Sequence, residues 1–138
     1  MKRTRLVLYT VLAAMILMGL PALAQGRETK FNVPFSFNVD KEVLPAGTYV
    51  VAQVFEASLM IRGASNGHAT LVSSMGVESA DREKPCKLVF HRYGNRYFLS
   101  QAWLGLRTSG RELLRSNEES EIARNAHPQT EYVLASEN

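Results

Sequence analysis

A stretch of strict alternation constrains the fold of this chain more than any other feature. From Phe31 to Val39, apolar side chains occupy the odd positions, and polar residues or proline occupy the even ones. Such period-two alternation is typical of a β-strand with one face against a core. Pro34 lies on the polar side and cannot donate a backbone hydrogen bond to a neighbouring strand, so we predict an edge strand here.

Further short apolar segments, separated by turn residues, extend the strand pattern along the chain. Leu44-Pro45-Ala46-Gly47 places proline and glycine as a β-turn does, and the dipeptides at 66–67 and 94–95 suit hairpin turns. The charged residues 78–85 predict a surface loop. We predict strands over residues 31–39, 48–55, 59–62, 70–77, 86–93, 96–104 and 130–135.

The turn at Gly94-Asn95 also predicts a register. With two residues in the turn, the facing pairs are Phe90–Leu99, Leu88–Gln101, Arg92–Tyr97 and Cys86–Trp103. We expect the side of this hairpin that carries Phe90, Leu99 and Trp103 to face the core. The opposite side is mixed in polarity, which is typical of a partly covered sheet surface. It carries Val89, His91, Tyr93, Arg96, Phe98 and Ser100.

A short helix is predicted near the end of the sequence. Ser116 and Glu119 have the spacing of a capping box, and Pro128 ends the segment. We expect a helix over about residues 117–126, before the last strand. The whole pattern predicts a mainly β fold: a single small antiparallel β-barrel or β-sandwich of six to seven strands with this one helix. Both architectures share the same linear pattern, so the choice between them stays open.

Residues 1–24 have the composition of a secretory signal peptide. Basic residues precede an apolar run over 6–20, and Ala22-Leu23-Ala24 fits the small-residue cleavage motif. We predict cleavage between Ala24 and Gln25, a single β-rich domain over 25–138, and export to the periplasm or the exterior. An uncleaved anchor is the less favoured alternative, because a membrane span needs about 20 apolar residues. No membrane span is expected after processing.

The net charge of the chain belongs to this N-terminal segment. The full sequence has 16 Lys and Arg against 13 Asp and Glu, and Lys2, Arg3 and Arg5 supply the excess. The remaining domain therefore has no net charge. This balance argues against nucleic-acid binding, which depends on a surplus of basic side chains.

Several motifs together resemble a group of small exported bacterial proteins of unknown function. They are Asn32-Val33-Pro34-Phe35-Ser36-Phe37, Leu44-Pro45-Ala46-Gly47-Thr48-Tyr49, Leu88-Val89-Phe90-His91-Arg92-Tyr93-Gly94 and Tyr97-Phe98-Leu99-Ser100, followed by Trp103. The resemblance covers most of the chain after the signal peptide. It implies export and a common β-rich fold, and it brings no activity, cofactor or catalytic residue with it.

The sequence contains no visible constellation of catalytic or metal-binding residues. His68, His91 and His127 lack the close spacings at which ligands share one strand or helix face, and zinc needs three or four ligands. No serine lies in a nucleophile-elbow motif. We therefore predict no catalytic residues, no metal and no cofactor, and a hydrolase is the least favoured interpretation.

Cys86 is the only cysteine, so no disulfide can form within the chain. The predicted register places Cys86 opposite Trp103 on the core side, where cysteine packs as a small apolar residue. We expect a buried free thiol at Cys86. The alternatives are a disulfide between two chains and a reactive thiol beside Lys84 and Lys87.

The candidate binding face of the predicted sheet consists of His91, Tyr93, Arg96 and Phe98. Aromatic rings and an arginine on an open sheet surface can stack against sugars, peptides or a partner protein. The alternative is that these residues pack under the helix or pair across strands. We expect a non-enzymatic envelope or secreted module that binds an unknown protein or envelope partner, or self-associates through the edge strand 31–39. A small barrel that carries an apolar ligand is the second hypothesis.

Overall fold

The computed structural model describes residues 28–80, 85–105 and 109–136, so the predicted signal peptide and its cleavage site lie outside the described residues. The described chain is mainly β, with ten strands and one short helix. In chain order the strands are β1 Glu28–Val33, β2 Phe37–Val39, β3 Glu42–Leu44, β4 Gly47–Phe55, β5 Ser58–Gly63, β6 Ala69–Glu78, β7 Lys87–Tyr93, β8 Arg96–Trp103, β9 Ser109–Leu113 and β10 Gln129–Leu134. The helix α1 spans Asn117–Ala123, between β9 and β10.

The ten strands exceed the six to seven that we predict from sequence. The predicted strand 31–39 is divided into β1 and β2, because the segment that begins at Pro34 leaves the ladder. Two short strands, β3 and β9, carry no clear alternation and are missed. Of the predicted charged loop, residues 81–84 lie outside the described residues, and Glu78 still belongs to β6.

The strands form one sheet that is not closed, so the barrel alternative is wrong. The main order is β1-β4-β5-β6-β9-β8-β2-β3, and β7 and β10 extend from β8. β6 joins two halves of the sheet: its first part pairs with β5 and its second part, from Ser74, pairs with β9. Among the described pairings, only β2–β8 is parallel, at Asn38 and Phe98. Side chains from both halves pack on one shared core.

One edge of the sheet is less open than the sequence suggests. β1 forms a full ladder with β4. The other edge of β1 meets the chain after β10 through a single bridge between Phe31 and Ala135, and Ser136 N donates to Lys30 O at 2.8 Å. One bridge does not make a ladder, but it occupies the middle of β1. The expectation of a free edge over 31–39 therefore needs correction.

The β7–β8 hairpin has the predicted turn but only part of the predicted register. Gly94 has a φ of 64°, as the first position of a two-residue type II′ turn requires. Phe90 faces Leu99 as expected, and Arg92 faces Tyr97. Next to Phe90, however, a bulge shifts the pairing by one residue.

The shift places Trp103 on the opposite side of the sheet from the one we predict. Lys87, not Cys86, faces Trp103, and Leu88 faces Ala102 rather than Gln101. Trp103 is nevertheless buried, because its indole packs directly over Gly110 of β9. Cys86 precedes β7 and is half-buried, so the prediction of a buried thiol is wrong.

The helix α1 begins as predicted and ends earlier. The Ser116 side chain accepts a hydrogen bond from Glu119 N at 3.1 Å, which confirms Ser116 as the N-cap. The helix ends at Ala123 rather than at about residue 126, and Arg124 caps it. The Glu119 side chain turns away from the helix start and reaches the sheet.

The core is built around aromatic rings from both halves of the sheet. Phe90 is fully buried, and its ring meets Phe35 and Phe37 edge-to-face with centroid separations of 5.0 and 5.4 Å. The Tyr49 ring meets Phe37 in the same way, and the Tyr49 hydroxyl donates to Pro45 O at 2.6 Å. Other fully buried side chains are Phe31, Val33, Val39, Val51, Leu59, Ile61 and Leu88. Within the described ranges, the structure has no helix of the length and apolarity that a membrane crossing requires.

Candidate functional site

An open cleft lies where β8 ends, at the far end of that strand from the Gly94-Asn95 turn. Its volume is about 640 Å³, which falls within the range of small-molecule sites, roughly 300–1,000 Å³. Four segments contribute to it: the end of β4 with its turn, β6, the end of β8 and the start of β9. The lining residues are Gln53, Val54, Phe55, Glu56, Gly76, Ala102, Leu104, Gly105, Ser109, Gly110 and Arg111.

Arg111 supplies the positive charge of the cleft. Pairing of β9 with both neighbours places Arg111 between Gly76 of β6 and Ala102 of β8. Its Nε donates to Ser74 Oγ at 3.1 Å, and its Nη2 donates to Ser74 O at 2.6 Å. These two hydrogen bonds use one edge of the guanidinium and hold the group in a fixed orientation.

The Arg111 guanidinium has no carboxylate partner within the described part of the chain. The ion pairs there join other residues, and none of them includes Arg111. Arginine keeps its charge at any physiological pH. The cleft therefore contains a half-buried, oriented cation that can accept an anionic group from a ligand.

Gly76 and three apolar side chains give the cleft its space and its walls. Gly76 is exposed, and a Cβ there would lie 3.4 Å from Arg111 Nη1, so any larger side chain would extend into the cleft. Val54, Phe55 and Leu104 form apolar walls. Phe55 is 67% exposed. With its exposed neighbour Val54 it forms a small apolar patch at the cleft, and contiguous exposed apolar surface can mark a ligand-binding groove.

The structure places the predicted binding face under α1, not on an open surface. Tyr93 and Phe98 are buried, and His91 and Arg96 are half-buried. The Phe98 ring meets Tyr93 edge-to-face at 5.8 Å, and the Arg96 guanidinium lies 5.2 Å from the Phe98 centroid. Arg96 also pairs with Glu118 of the helix. The four residues attach the helix to the sheet, which corrects the expectation of a free face.

Glu119 anchors this attachment. It is 3% exposed, its Oε1 lies 2.6 Å from His91 Nδ1, and it accepts a hydrogen bond from the Tyr93 hydroxyl at 3.1 Å. Arg115 Nε lies 3.9 Å from the same oxygen. Burial raises the pKa of Tyr93 above its ordinary value, and the charge of Glu119 adds to the rise. The buried carboxylate is thus surrounded by donors that fix the position of the helix.

A second, smaller groove of about 250 Å³ lies beside this anchor on β7. Its lining residues are Lys87, Val89, His91, Ser100, Gln101, Trp103, Thr130 and Tyr132. A histidine held at Nδ1 by a buried carboxylate has the orientation of a general base. Among the described hydrogen bonds, the His91 ring takes part in one, with Glu119. No serine, threonine or tyrosine hydroxyl in the described residues bonds to the His91 ring. We therefore assign no catalytic residue to this groove.

A polar cluster of Glu42, His68 and Thr70 lies elsewhere on the sheet. The Thr70 hydroxyl donates to Glu42 Oε2 at 2.7 Å, and His68 Nε2 lies 3.1 Å from the same oxygen. The hydrogen bonds from Thr70 and with His68 lower the pKa of Glu42 below its ordinary value. In the portion of the chain that the structure describes, no group of three or more His, Cys, Asp or Glu residues could hold a metal ion.

The residues of the cleft could not be identified from the sequence, because they come from four separate segments. Arg111 belongs to β9, whose sequence Ser109-Gly110-Arg111-Glu112-Leu113 has a single large apolar residue. Arg111 and Leu113 are two apart and so share one face of the strand. This spacing is the only feature of the sequence that indicates that Arg111 lies on the same face as the buried Leu113. It can be used only when β9 is known to be a strand.

Comparisons with known proteins assign no family to this chain. No protein-family model, curated protein or solved structure matches it. The resemblance to small exported bacterial proteins therefore rests on the sequence motifs alone and stays a prediction.

Proposed function

We propose that this protein is an exported, non-enzymatic binding domain that holds a small ligand in the cleft at the end of β8. One observation supports the proposal more than any other. The cleft combines apolar walls with a fixed guanidinium that has no carboxylate partner among the described residues. Small-molecule sites in proteins likewise combine apolar side chains with a few polar groups that orient the ligand.

The architecture around the cleft also favours binding. Ala102 of the cleft belongs to the buried core of the sheet and Leu104 packs against that core, so this part of the lining has a close-packed support. Three lining residues are held by strand pairing: Gly76 of β6 faces Arg111 of β9, and Arg111 faces Ala102 of β8. A preformed site of this kind loses little conformational entropy when a ligand binds.

Export to the periplasm or the exterior is part of the proposal and depends on the N-terminal sequence. The basic residues, the apolar run over 6–20 and Ala22-Leu23-Ala24 together support it. The intact mass of the protein purified from the exported fraction tests this step. We expect a chain that begins at Gln25, and a chain that keeps residues 1–24 would contradict the predicted cleavage.

Native mass spectrometry of the same protein, purified gently from the exported fraction, tests the binding function. We expect a fraction of the molecules to carry one bound small molecule. The Gly76→Leu variant should lose that mass, because a leucine side chain would fill the cleft beside Arg111. Ser73→Leu is the matched control, since Ser73 is exposed on the same strand and does not line the cleft. Bare protein in all three samples would refute the proposal.

A second candidate function is contact with a protein partner or with a second copy through the outer side of β10. Tyr132 and Leu134 on that strand are 59% and 60% exposed, and Lys87 Nζ lies 4.7 Å from the Tyr132 centroid. Contiguous exposed apolar side chains are typical of interaction surfaces. Light scattering at increasing concentration tests self-association: a dimer that Leu134→Ser dissociates would favour this function.

A further inference from the structure

We infer that the ligand of the cleft carries a carboxylate, which binds the guanidinium of Arg111, on a short apolar group, which packs against Leu104 and Phe55. This inference rests on the proposed binding function and specifies the chemistry of the ligand. It follows from three features of the cleft: the free part of the guanidinium, the distribution of charge on the lining, and the position of the apolar walls.

The orientation of Arg111 leaves part of its guanidinium directed at the cleft. Ser74 accepts two hydrogen bonds from Arg111, one from Nε at its hydroxyl and one from Nη2 at its backbone oxygen. The other terminal nitrogen, Nη1, is the atom that lies closest to the position of a Cβ on Gly76, at 3.4 Å. Nη1 and the second hydrogen of Nη2 form a fork that matches the two oxygens of a carboxylate.

The charge on the cleft lining favours one orientation of such a ligand. Among the lining residues that the structure describes, Arg111 on β9 is the only cation and Glu56, on the turn after β4, is the only acid. Glu56 is exposed, whereas Arg111 is half-buried. A carboxylate therefore binds next to Arg111, away from the repulsion of Glu56, and the deeper position of the guanidinium strengthens the attraction because water screens it less there.

The apolar walls account for the remainder of the ligand. Ala102 is fully buried in the floor, Leu104 is half-buried, and Phe55 and Val54 stay exposed at the rim. An alkyl chain or a ring that extends from the carboxylate would cover the exposed surface of Phe55. Covering apolar surface favours binding in proportion to the area removed from water. A small anion such as acetate, with a single methyl group, leaves most of these walls in water and should bind much more weakly.

Isothermal titration of the exported protein with octanoate tests the inference, and octanol is the neutral comparison of equal chain length. We expect octanoate to bind at least about tenfold more tightly than octanol, since a hydrogen-bonded charge pair contributes that much or more. Arg111→Gln should abolish this preference. Arg62→Gln is the control for net charge, because Arg62 lies on β5, pairs with Glu28 and does not line the cleft.

The Arg111→Gln variant loses the hydrogen bonds between Arg111 and Ser74, and this loss alone could disturb the fold. The Glu56→Gln variant provides a second test that does not depend on those bonds. Removing the Glu56 charge should strengthen octanoate binding by about twofold to fivefold at low salt and leave octanol binding unchanged. Equal affinities of the wild type for octanoate and octanol, or no response of octanoate to Glu56→Gln, would refute the inference about the carboxylate.

The Gly76→Leu variant separates that failure from a failure of the binding function. If the wild type binds octanol and octanoate equally and Gly76→Leu blocks both, the cleft binds apolar molecules and only the inference about charge is wrong. If neither compound responds to Gly76→Leu, no ligand enters the cleft, and the proposed function is wrong as well.

Discussion

The contact between Trp103 and Gly110 allows a sharp prediction about the stability of the fold. Trp103 is 4% exposed although it lies on the side of the sheet away from the shared core. A Cβ built on Gly110 would lie 2.6, 2.7 and 2.8 Å from three ring atoms of Trp103. Carbon atoms in contact normally lie about 3.5–4.0 Å apart. The Gly110→Ala variant must therefore displace the indole by about 1 Å.

The expected cost of this displacement follows from two opposing contributions. Overpacking of a buried position destabilises a protein by roughly 1–3 kcal/mol. Replacing glycine by alanine also restricts the unfolded chain, which stabilises the fold by about 0.4–1 kcal/mol. We expect a net loss of about 1–2 kcal/mol in the free energy of unfolding of Gly110→Ala. Gly76→Ala is the matched control, because its new Cβ meets only the flexible end of Arg111, and we expect little change or a small gain.

Urea unfolding followed by tryptophan fluorescence measures the free energy of unfolding and the exposure of the Trp103 ring together, because Trp103 is the only tryptophan. In Gly110→Ala we expect a lower unfolding midpoint and emission at longer wavelength in the native state, since the displaced ring becomes more exposed to water. Gly76→Ala should keep the wild-type emission. If Gly110→Ala had wild-type stability and emission, the packing of Trp103 over Gly110 would be wrong.

Three further predictions concern other parts of the molecule. Phe90→Ala should lower the free energy of unfolding by roughly 3–5 kcal/mol in urea titrations, because Phe90 is fully buried among aromatic rings; a loss below about 1 kcal/mol would contradict that packing. Glu119→Ala should cost about 1–3 kcal/mol, since it leaves the buried Tyr93 hydroxyl without its acceptor, whereas Glu118→Ala at the exposed ion pair should cost no more than about 1 kcal/mol; equal losses would refute the anchoring role. The lowered pKa of Glu42 contributes stability that is present above the ordinary carboxyl pKa and is lost as the pH falls through the lowered value; Thr70→Val should raise that pKa in NMR titrations, and an unchanged value would contradict the hydrogen bond.

The local parts of the fold could be predicted from sequence because local chemistry determines them. Alternation and turn residues identify seven strand regions, and the Ser116 cap with its spacing to Glu119 identifies the start of the helix. The bulge between β7 and β8 could not be predicted in this way. An inserted residue leaves the composition of a strand unchanged and only shifts its pairing, and so Trp103 is assigned to the wrong face.

The binding site could not be predicted for a related reason. A cleft is a property of how segments distant in sequence meet. Phe55, Gly76, Leu104 and Arg111 come together through the successive pairing of β4 with β5, β5 with β6, β6 with β9 and β9 with β8. Conversely, the group His91, Tyr93, Arg96 and Phe98 has the composition of an interaction surface. Whether a helix covers such a surface depends on tertiary packing, here on the hydrogen bonds of Glu119 with His91 and Tyr93, and the pattern of the strands alone does not reveal it.

The parallel contact between β2 and β8 has a consequence for the order of folding. The Asn38 side chain donates to Tyr97 O at 2.9 Å across 59 residues of chain, and Asn38 pairs with Phe98 in the ladder. The β7–β8 hairpin needs only its two-residue turn to form, so it can assemble early. β2 can dock only onto a β8 that already exists, and closing such a long loop carries a high entropic cost. Proteins rich in non-local strand pairings fold in roughly milliseconds to seconds, and during that time the edge of β8 that β2 will cover stays exposed to other chains.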